Sequence, residues 1–220
     1  EHAVVAAGRL LGLEDDPPAP RLFFGEDTEA AVDAVMGKDS APVLAVGPGV
    51  DWVGKRWPDE RFTKVAARLL ADDGVLAGGR LLIVGEEADR DSAHTIRLAC
   101  PRGRVIEAEA RLDWLQTACA ISRAKLYLGG DSIWTHLATA SGTPVVAVFG
   151  PSDDLRHGPW NGTAVRGPRA LNDYRRTDPR LDQAINHMMD LPVEPVTEAA
   201  LALLAKGEAP VGTPVEPARG

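Results

Sequence analysis

The sequence predicts an α/β protein built on a doubly wound parallel sheet. Three observations carry this reading. Short, continuous apolar runs (VLAV, LLIV, LYL, VVAVF) alternate with segments of helical character. Strands apolar along their whole length are buried on both faces, as parallel strands are when helices cover each side. Each run also leads directly into a helix or a glycine-containing loop, the punctuation of successive βα units joined by right-handed crossovers.

Taken in order, residues 1–13 have helical spacing of Val4, Val5, Leu10, Leu11 and Leu13, and the stiff, polar DDPPAP follows. Residues 1–20 thus read as a helix and linker leading into a domain that spans 21–206. RLFF at 21–24 reads as a short strand, and DTEAAVDAVMG as a helix capped by Asp27 or Thr28. APVLAVGPG is a buried strand, and a helix opens at Pro58 with acids in its first turn. GRLLIVG, GRVIEAEA, KLYLGG and TPVVAVFG are the next strands, the second of them weak. Helices EEADRDSAHTIRLAC, RLDWLQTACAISRA and DSIWTHLATASG lie between them. Residues 151–192 lose the alternation and read as long loops with short helical pieces. TEAALALLAKG is a last helix with Thr197 as cap and Gly207 as stop, and the Pro- and Gly-rich 207–220 reads as a disordered tail.

The 220 residues carry a formal net charge of −8. That balance excludes a general nucleic-acid binder, which needs clustered Lys and Arg to neutralise phosphates. Cys100 and Cys119 sit in apolar helical contexts without CxxC spacing, as buried reduced thiols of a cytosolic protein do. No apolar run approaches the roughly 18 residues of a membrane span. GxGxxG, the Walker sequence and HExxH are absent, which disfavours hydride transfer, and no acidic cluster suggests a metal.

In an open parallel sheet, ligands bind beyond the carboxyl ends of the strands. Those ends carry VGPGVDWVGKRWP, VGEEAD, LGGDSIWTH and FGPSDD, and glycine there permits close approach of backbone to a ligand. Asp131 falls where strand gives way to helix, a natural N-cap, followed by Ser132. His136 lies one turn in, on the same face. A hydroxyl and an imidazole at a helix mouth suit a phosphate group. Lys55 and Arg56 precede another helix and can neutralise a diphosphate in a chain otherwise short of positive charge. Glu86 and Glu87, after Gly85, can accept from ribose hydroxyls. Each has a plainer reading: a cap, a core histidine, a solvated basic pair, or acids at a helix start.

The elements GPG…KRWP, VGEEAD and GGDSIWTHLATASGTPVVAVFGPSDDLRHGP together resemble the C-terminal domain of glycosyltransferase family 9, the ADP-heptose:lipopolysaccharide heptosyltransferases. The similarity covers about residues 40–160, and the first helix resembles the inter-domain helix of that family. The resemblance implies a Rossmann-like C-terminal half of a GT-B glycosyltransferase. It would bind a nucleotide sugar, ADP-heptose or another ADP-sugar, through Lys55, Arg56, Gly85, Glu86, Glu87, Asp131, Ser132 and His136, with no cofactor or metal. It implies inversion by direct displacement, a lipopolysaccharide-core acceptor, and a location in the cytoplasm, with peripheral contact to the inner membrane through the full enzyme. The family's base and acceptor platform belong to an N-terminal domain, and nothing in this chain corresponds to it.

One departure bears on the donor. The family glycine after Asp-Ser is Ile133 here, which puts a branched side chain where backbone would approach phosphate or sugar, and the bulky Trp134 is beside it. Two alternatives therefore stand: a GT-B enzyme using another nucleotide sugar (a UDP-sugar transferase or an epimerase), or a non-catalytic domain that keeps the fold.

Overall fold

The computed structural model describes residues 1–174 and 186–206. Six parallel strands, β1 (Val43–Gly47), β2 (Arg80–Ile83), β3 (Val105–Glu107), β4 (Leu126–Gly130), β5 (Val145–Phe149) and β6 (Thr163–Arg166), form one sheet in the order β3-β2-β1-β4-β5-β6. All five pairings are parallel. This is the doubly wound Rossmann order, in which the chain turns from one half of the sheet to the other between β1 and β4.

Strand residues alternate between two cores because successive side chains point to opposite faces. Leu44, Val46, Leu81, Ile83, Leu126, Leu128, Val146 and Val148 meet α3 (Asp59–Leu70), α4 (Arg90–Ile96) and α9 (Val193–Ala205). Ala45, Leu82, Tyr127, Val145 and Ala147 meet α2 (Glu26–Met36), α5 (Trp114–Ser122) and α6 (Ile133–Ala140). The continuous apolar strand runs are thus explained: neither face of the sheet is wet.

Several local expectations change. RLFF is not a strand; it is an irregular segment held by Leu22 N donating to Ala140 O (2.9 Å), with Phe23 exposed. α2 is capped by Gly25 rather than Asp27 or Thr28, and those residues with Glu26 and Glu29 make up an acid-rich first turn that suits the helix dipole. The stretch 151–192 holds more order than its composition suggests: α7 (Asp154–His157), β6 and α8 (Leu171–Tyr174). β6 is an edge strand with only Val165 buried, so TAVR lacks an apolar signature. α9 begins at Val193, not Thr197, since Pro195 falls in its first turn, where a missing N–H costs nothing. Thr197 instead donates back to Val193 O (3.0 Å). Gly207 and the tail 207–220 lie outside the described residues.

α1 (Ala3–Leu10) packs beside α7. His2 caps it by accepting from Val4 N with Nδ1 (3.1 Å), while Nε2 bonds Gly158 O (3.0 Å) and the ring lies against Trp160. No helix among the described residues is long and apolar enough to cross a membrane.

Candidate functional site

The loop after β1 is built around two tryptophans. Gly54 is buried under the Trp52 indole, which occupies the space a Cβ would need, and a 3-10 turn (Val53–Lys55) follows. Trp57 is fully buried, its Nε1 donates to Leu191 O (2.9 Å), and its ring meets Phe62 edge-on at 4.8 Å. Arg61 on α3 reaches the same segment, donating to Met189 O (2.7 Å) and to Leu191 O. His187 N donates to Gly54 O (3.1 Å). The chain around residues 187–191 therefore straps the loop from behind and fixes where Lys55 stands.

From that position Lys55 crosses the β1/β4 crevice. Its ammonium donates to Asp131 Oδ2 (3.1 Å) and pairs with Asp51 Oδ1 at 2.6 Å. Lys55 and Asp131 side chains are only 15% and 12% exposed, whereas Asp51 is 79% exposed. Burial pushes the Lys55 pKa down, but Asp51 and then Asp131 outweigh it and hold the ammonium above its ordinary value. Lys55 is charged at any physiological pH, and one of its two carboxylates, Asp51, stands at the surface.

Asp131 does not cap α6. Ser132 holds the N-cap position with extended backbone, and its side chain makes no cap hydrogen bond. The serine hydroxyl oxygen is buried, so Ser132 borders the crevice through its backbone rather than its hydroxyl. Ile133 is 43% exposed at the helix mouth, whereas Trp134 turns into the core. Of the two bulky residues after Asp-Ser, Ile133 alone stands at the mouth.

His136 is exposed on α6 and lines a cleft of about 270 Å³ with His2, Arg156, His157 and Trp160, between α1, α6 and α7. Burial lowers its pKa below the ordinary histidine value, opposed by Asp131 and assisted by His157, His2 and Lys55. His136 is thus within electrostatic reach of the Lys55–Asp131 pair, yet it borders a neighbouring cleft.

Glu86 and Glu87 stand at the next strand end, exposed, and both have local partners. Glu86 caps a short 3-10 turn in a reciprocal box with Asp89, and Glu87 pairs with Arg90 at 2.9 Å. Among the described residues no hydrogen bond or ion pair joins either to Lys55, Arg56 or Asp131. Arg56 is half-buried and acts on Asp59, lowering a carboxyl that burial raises.

The glycines at the strand ends make room for the protein's own side chains. A Cβ at Gly49 or Gly85 would meet the Asp89 carboxylate, one at Gly47 or Gly129 the Tyr127 hydroxyl, and one at Gly150 the Met188 sulfur. Asp51, Asp89, Tyr127 and the 187–191 strap escaped the sequence reading. Asp51 and Asp89 stand inside the strand-end segments VGPGVDWVGKRWP and VGEEAD, whereas Tyr127 and the strap had no local signal. Among the described residues, no group of three or more His, Cys, Asp or Glu could hold a metal ion.

A six-stranded sheet in this order, with its charged pair at the turn of strand order, defines a Rossmann-like domain, in which ligands ordinarily bind beyond the carboxyl ends of the strands at such a turn. The family model for glycosyltransferase family 9 (heptosyltransferase) matches residues 1–177, and the chain belongs to that family. It is 28% identical over 155 residues to the lipopolysaccharide heptosyltransferase 1 of Pseudomonas aeruginosa, covering 70% of this chain and 41% of that protein. Its fold matches the Escherichia coli ADP-heptose LPS heptosyltransferase II with a TM-score of 0.68 at 20% identity, over 89% of this chain and 58% of that one. It also matches the E. coli heptosyltransferase WaaC solved with ADP, with a TM-score of 0.59 at 16% identity, over 89% and 53%. These likenesses show the Rossmann-like half of a GT-B glycosyltransferase. The chain spans about half the length of the curated relatives it matches.

Proposed function

We propose that this chain is the donor-binding half of an inverting glycosyltransferase and holds the diphosphate of an ADP-sugar, ADP-heptose or a close relative, in the β1/β4 crevice. The observation that carries the reading is Lys55, charged and held at the mouth of α6, whose first-turn amides carry no side-chain cap. A cation and open helix amides form an anion cradle, and in an acidic chain this one is local. Lys55 would exchange the exposed Asp51 for donor phosphate, with Arg56 adding charge at the rim. Asp131 and the Ser132 backbone would border the phosphate and sugar end. Glu86 and Glu87, beyond Gly85, would face the nucleoside, and His136 would meet the sugar from its neighbouring cleft.

In a direct displacement, the acceptor hydroxyl attacks the anomeric carbon and the nucleoside diphosphate leaves with the bonding pair. Lys55 and the α6 amides would neutralise the charge that develops on the departing oxygen. The acceptor, of lipopolysaccharide-core type, and the base that takes its proton would come from the other half of the enzyme, at the cytoplasmic face of the inner membrane.

Isothermal titration with ADP, UDP and GDP tests the reading, with ADP expected to bind. Heat with UDP and none with ADP would move the chain to another nucleotide sugar. Ile133 favours that second reading, because a branched side chain narrows the approach to the helix mouth. A thermal-shift series with ADP-, UDP- and GDP-sugars separates the two. Silence with all three would leave a non-catalytic domain.

A further inference from the structure

Three of the chain's five histidines, His2, His136 and His157, line the one cleft of about 270 Å³ between α1, α6 and α7. Arg156 and Trp160 complete its walls, and α1 and α6 add apolar side chains such as Val4 and Leu137. No Asp or Glu lines it, although the chain carries 32 of them. The acids flanking it in sequence are engaged elsewhere: Glu1 pairs with Arg9, Asp154 pairs with Arg166, and Asp153 caps α7.

The basic groups divide into two kinds. His2 is committed to the protein itself: its Nδ1 accepts from Val4 N, so Nε2 carries the proton and donates to Gly158 O. Its ring lies 4.9 Å from that of Trp160, and the pair forms a wall rather than a polar contact. His136, Arg156 and His157 are exposed. Arg156 is tied to α7 through its backbone N–H, which donates to Asp153. Among the described residues no ion pair or hydrogen bond engages its guanidinium. Such a group is suited to bidentate pairing with a carboxylate or a phosphate. The volume is below that of most drug-sized pockets and suits one ring with its substituent rather than an acyl chain.

We propose that this cleft is a second anion subsite, separate from the β1/β4 crevice, that takes one sugar unit bearing a carboxylate or a phosphate. The Arg156 guanidinium and the His136 and His157 imidazoles hold the anion, and the apolar face of the ring lies against Trp160. The anionic character follows from the lining alone. That the ligand is a sugar, and belongs to the acceptor, rests on reading the crevice as the donor site, since the donor diphosphate is then accommodated there.

Imidazole resonances of the 220-residue chain, followed by NMR during titration, locate the binding. Glucuronate and glucose 6-phosphate supply the two anions, and glucose is the neutral control. His136 and His157 should shift with either anionic sugar, His94 and His187 should not, and glucose should move none of them. Binding of either anion supports the subsite, and the tighter one names its substituent. Arg156→Gln, at an exposed side chain, should weaken the anionic sugar about 3- to 5-fold, the scale of an ion pair with one exposed partner, and leave ADP affinity unchanged. The anionic sugar should still bind at saturating ADP. Still His136 and His157 resonances, an equal response to glucose, or unchanged affinity in Arg156→Gln each overturn the proposal. Displacement by ADP overturns it too, because the cleft would then be part of the crevice. Should ADP not bind at all, the donor reading falls by itself, and the shifts at His136 and His157 still decide whether the cleft holds an anion.

Discussion

Lys55 and Asp131 are 76 residues apart in sequence and meet at 3.1 Å across the β1/β4 crevice, where the strand order of the sheet reverses. Lys55→Ala should weaken ADP binding by about 1.5–3 kcal/mol, the scale of a charge-assisted contact. It also leaves Asp131 without its cation, so the melting temperature should fall, and adding Asp131→Asn should recover part of that loss. Titration calorimetry on the two variants separates ligand binding from stability. Unchanged ADP affinity in Lys55→Ala would reduce the lysine to a structural partner of Asp131.

Asp51 offers a test of opposite sign. It is largely exposed and holds Lys55 at 2.6 Å, so a diphosphate must displace it and is repelled by it. Asp51→Asn should tighten ADP binding by up to about fivefold, consistent with roughly 1 kcal/mol for a charge pair in a wet setting. The gain should shrink as salt is raised. Weaker binding in this variant would instead make Asp51 a ligand contact.

Much of this arrangement was legible in the sequence, and the illegible parts share a cause. Runs such as VLAV and VVAVF announce strands buried on both faces, and that pattern alone implies a parallel sheet with its ligand end at the carboxyl ends. Lys55, Asp131 and Ser132 follow from those ends. β6 was missed because an edge strand buries one residue and reads as loop. The start of α9 was placed at Thr197 because a threonine before an apolar run reads as a cap, whereas the helix opens four residues earlier with Pro195 harmlessly in its first turn. The Arg61–Leu191 strap joins residues 130 apart, and the Tyr127 hydroxyl fills the space left by two glycines on different strands. Such pairings exist only once the chain has folded.

The strap should be measurable as stability coupled to the site. Trp57 is fully buried, and Leu191 O accepts from both Trp57 and Arg61. Trp57→Phe removes one of those donors and should cost about 1–2 kcal/mol, whereas Trp57→Ala, which also opens a cavity, should cost about 3–5 kcal/mol. Urea unfolding gives both numbers. Lys55 lies two residues upstream, so Trp57→Phe should weaken ADP binding as well. Normal affinity in a destabilised Trp57→Phe would show that the loop holds Lys55 without the strap.

The His136 pKa lies below its ordinary 6.5 because burial disfavours the imidazolium, with His157, His2 and Lys55 adding to the effect against Asp131. A depressed folded value means that the unfolded chain binds the proton more readily. His136 therefore adds stability above pH about 6.5 and loses it as pH falls through that value towards the folded one. Subtracting the His136→Gln profile from that of the unmodified chain isolates this window from the carboxyls Asp59 and Glu109, whose values burial raises. A bound diphosphate favours the imidazolium, so ADP affinity should rise over the same acid range. Proton uptake on binding near pH 6, read by calorimetry in two buffers, checks the sign, and proton release would contradict it.

The isolated chain is expected to bind donor without transferring sugar. Displacement at an anomeric carbon needs the acceptor hydroxyl held in line, and oriented proximity supplies several kcal/mol of the barrier. General-base assistance adds typically about 10²–10⁴-fold. The crevice described here presents a cation and helix amides, groups suited to a leaving diphosphate. One imidazole of this end, His136, lies one turn inside the helix that would carry phosphate and lines a cleft with His2, Arg156 and His157. Asp131, the buried carboxylate of the crevice, is already bonded to Lys55. The curated relatives are about twice as long as the stretch matched here, so a chain carrying the complementary half of such a relative can be supplied in trans. Turnover with ADP-heptose and a lipopolysaccharide-core acceptor should appear only in that mixture. If the 220 residues alone transfer sugar at a comparable rate, the base lies in this chain, and His136→Gln would be the first variant to assay.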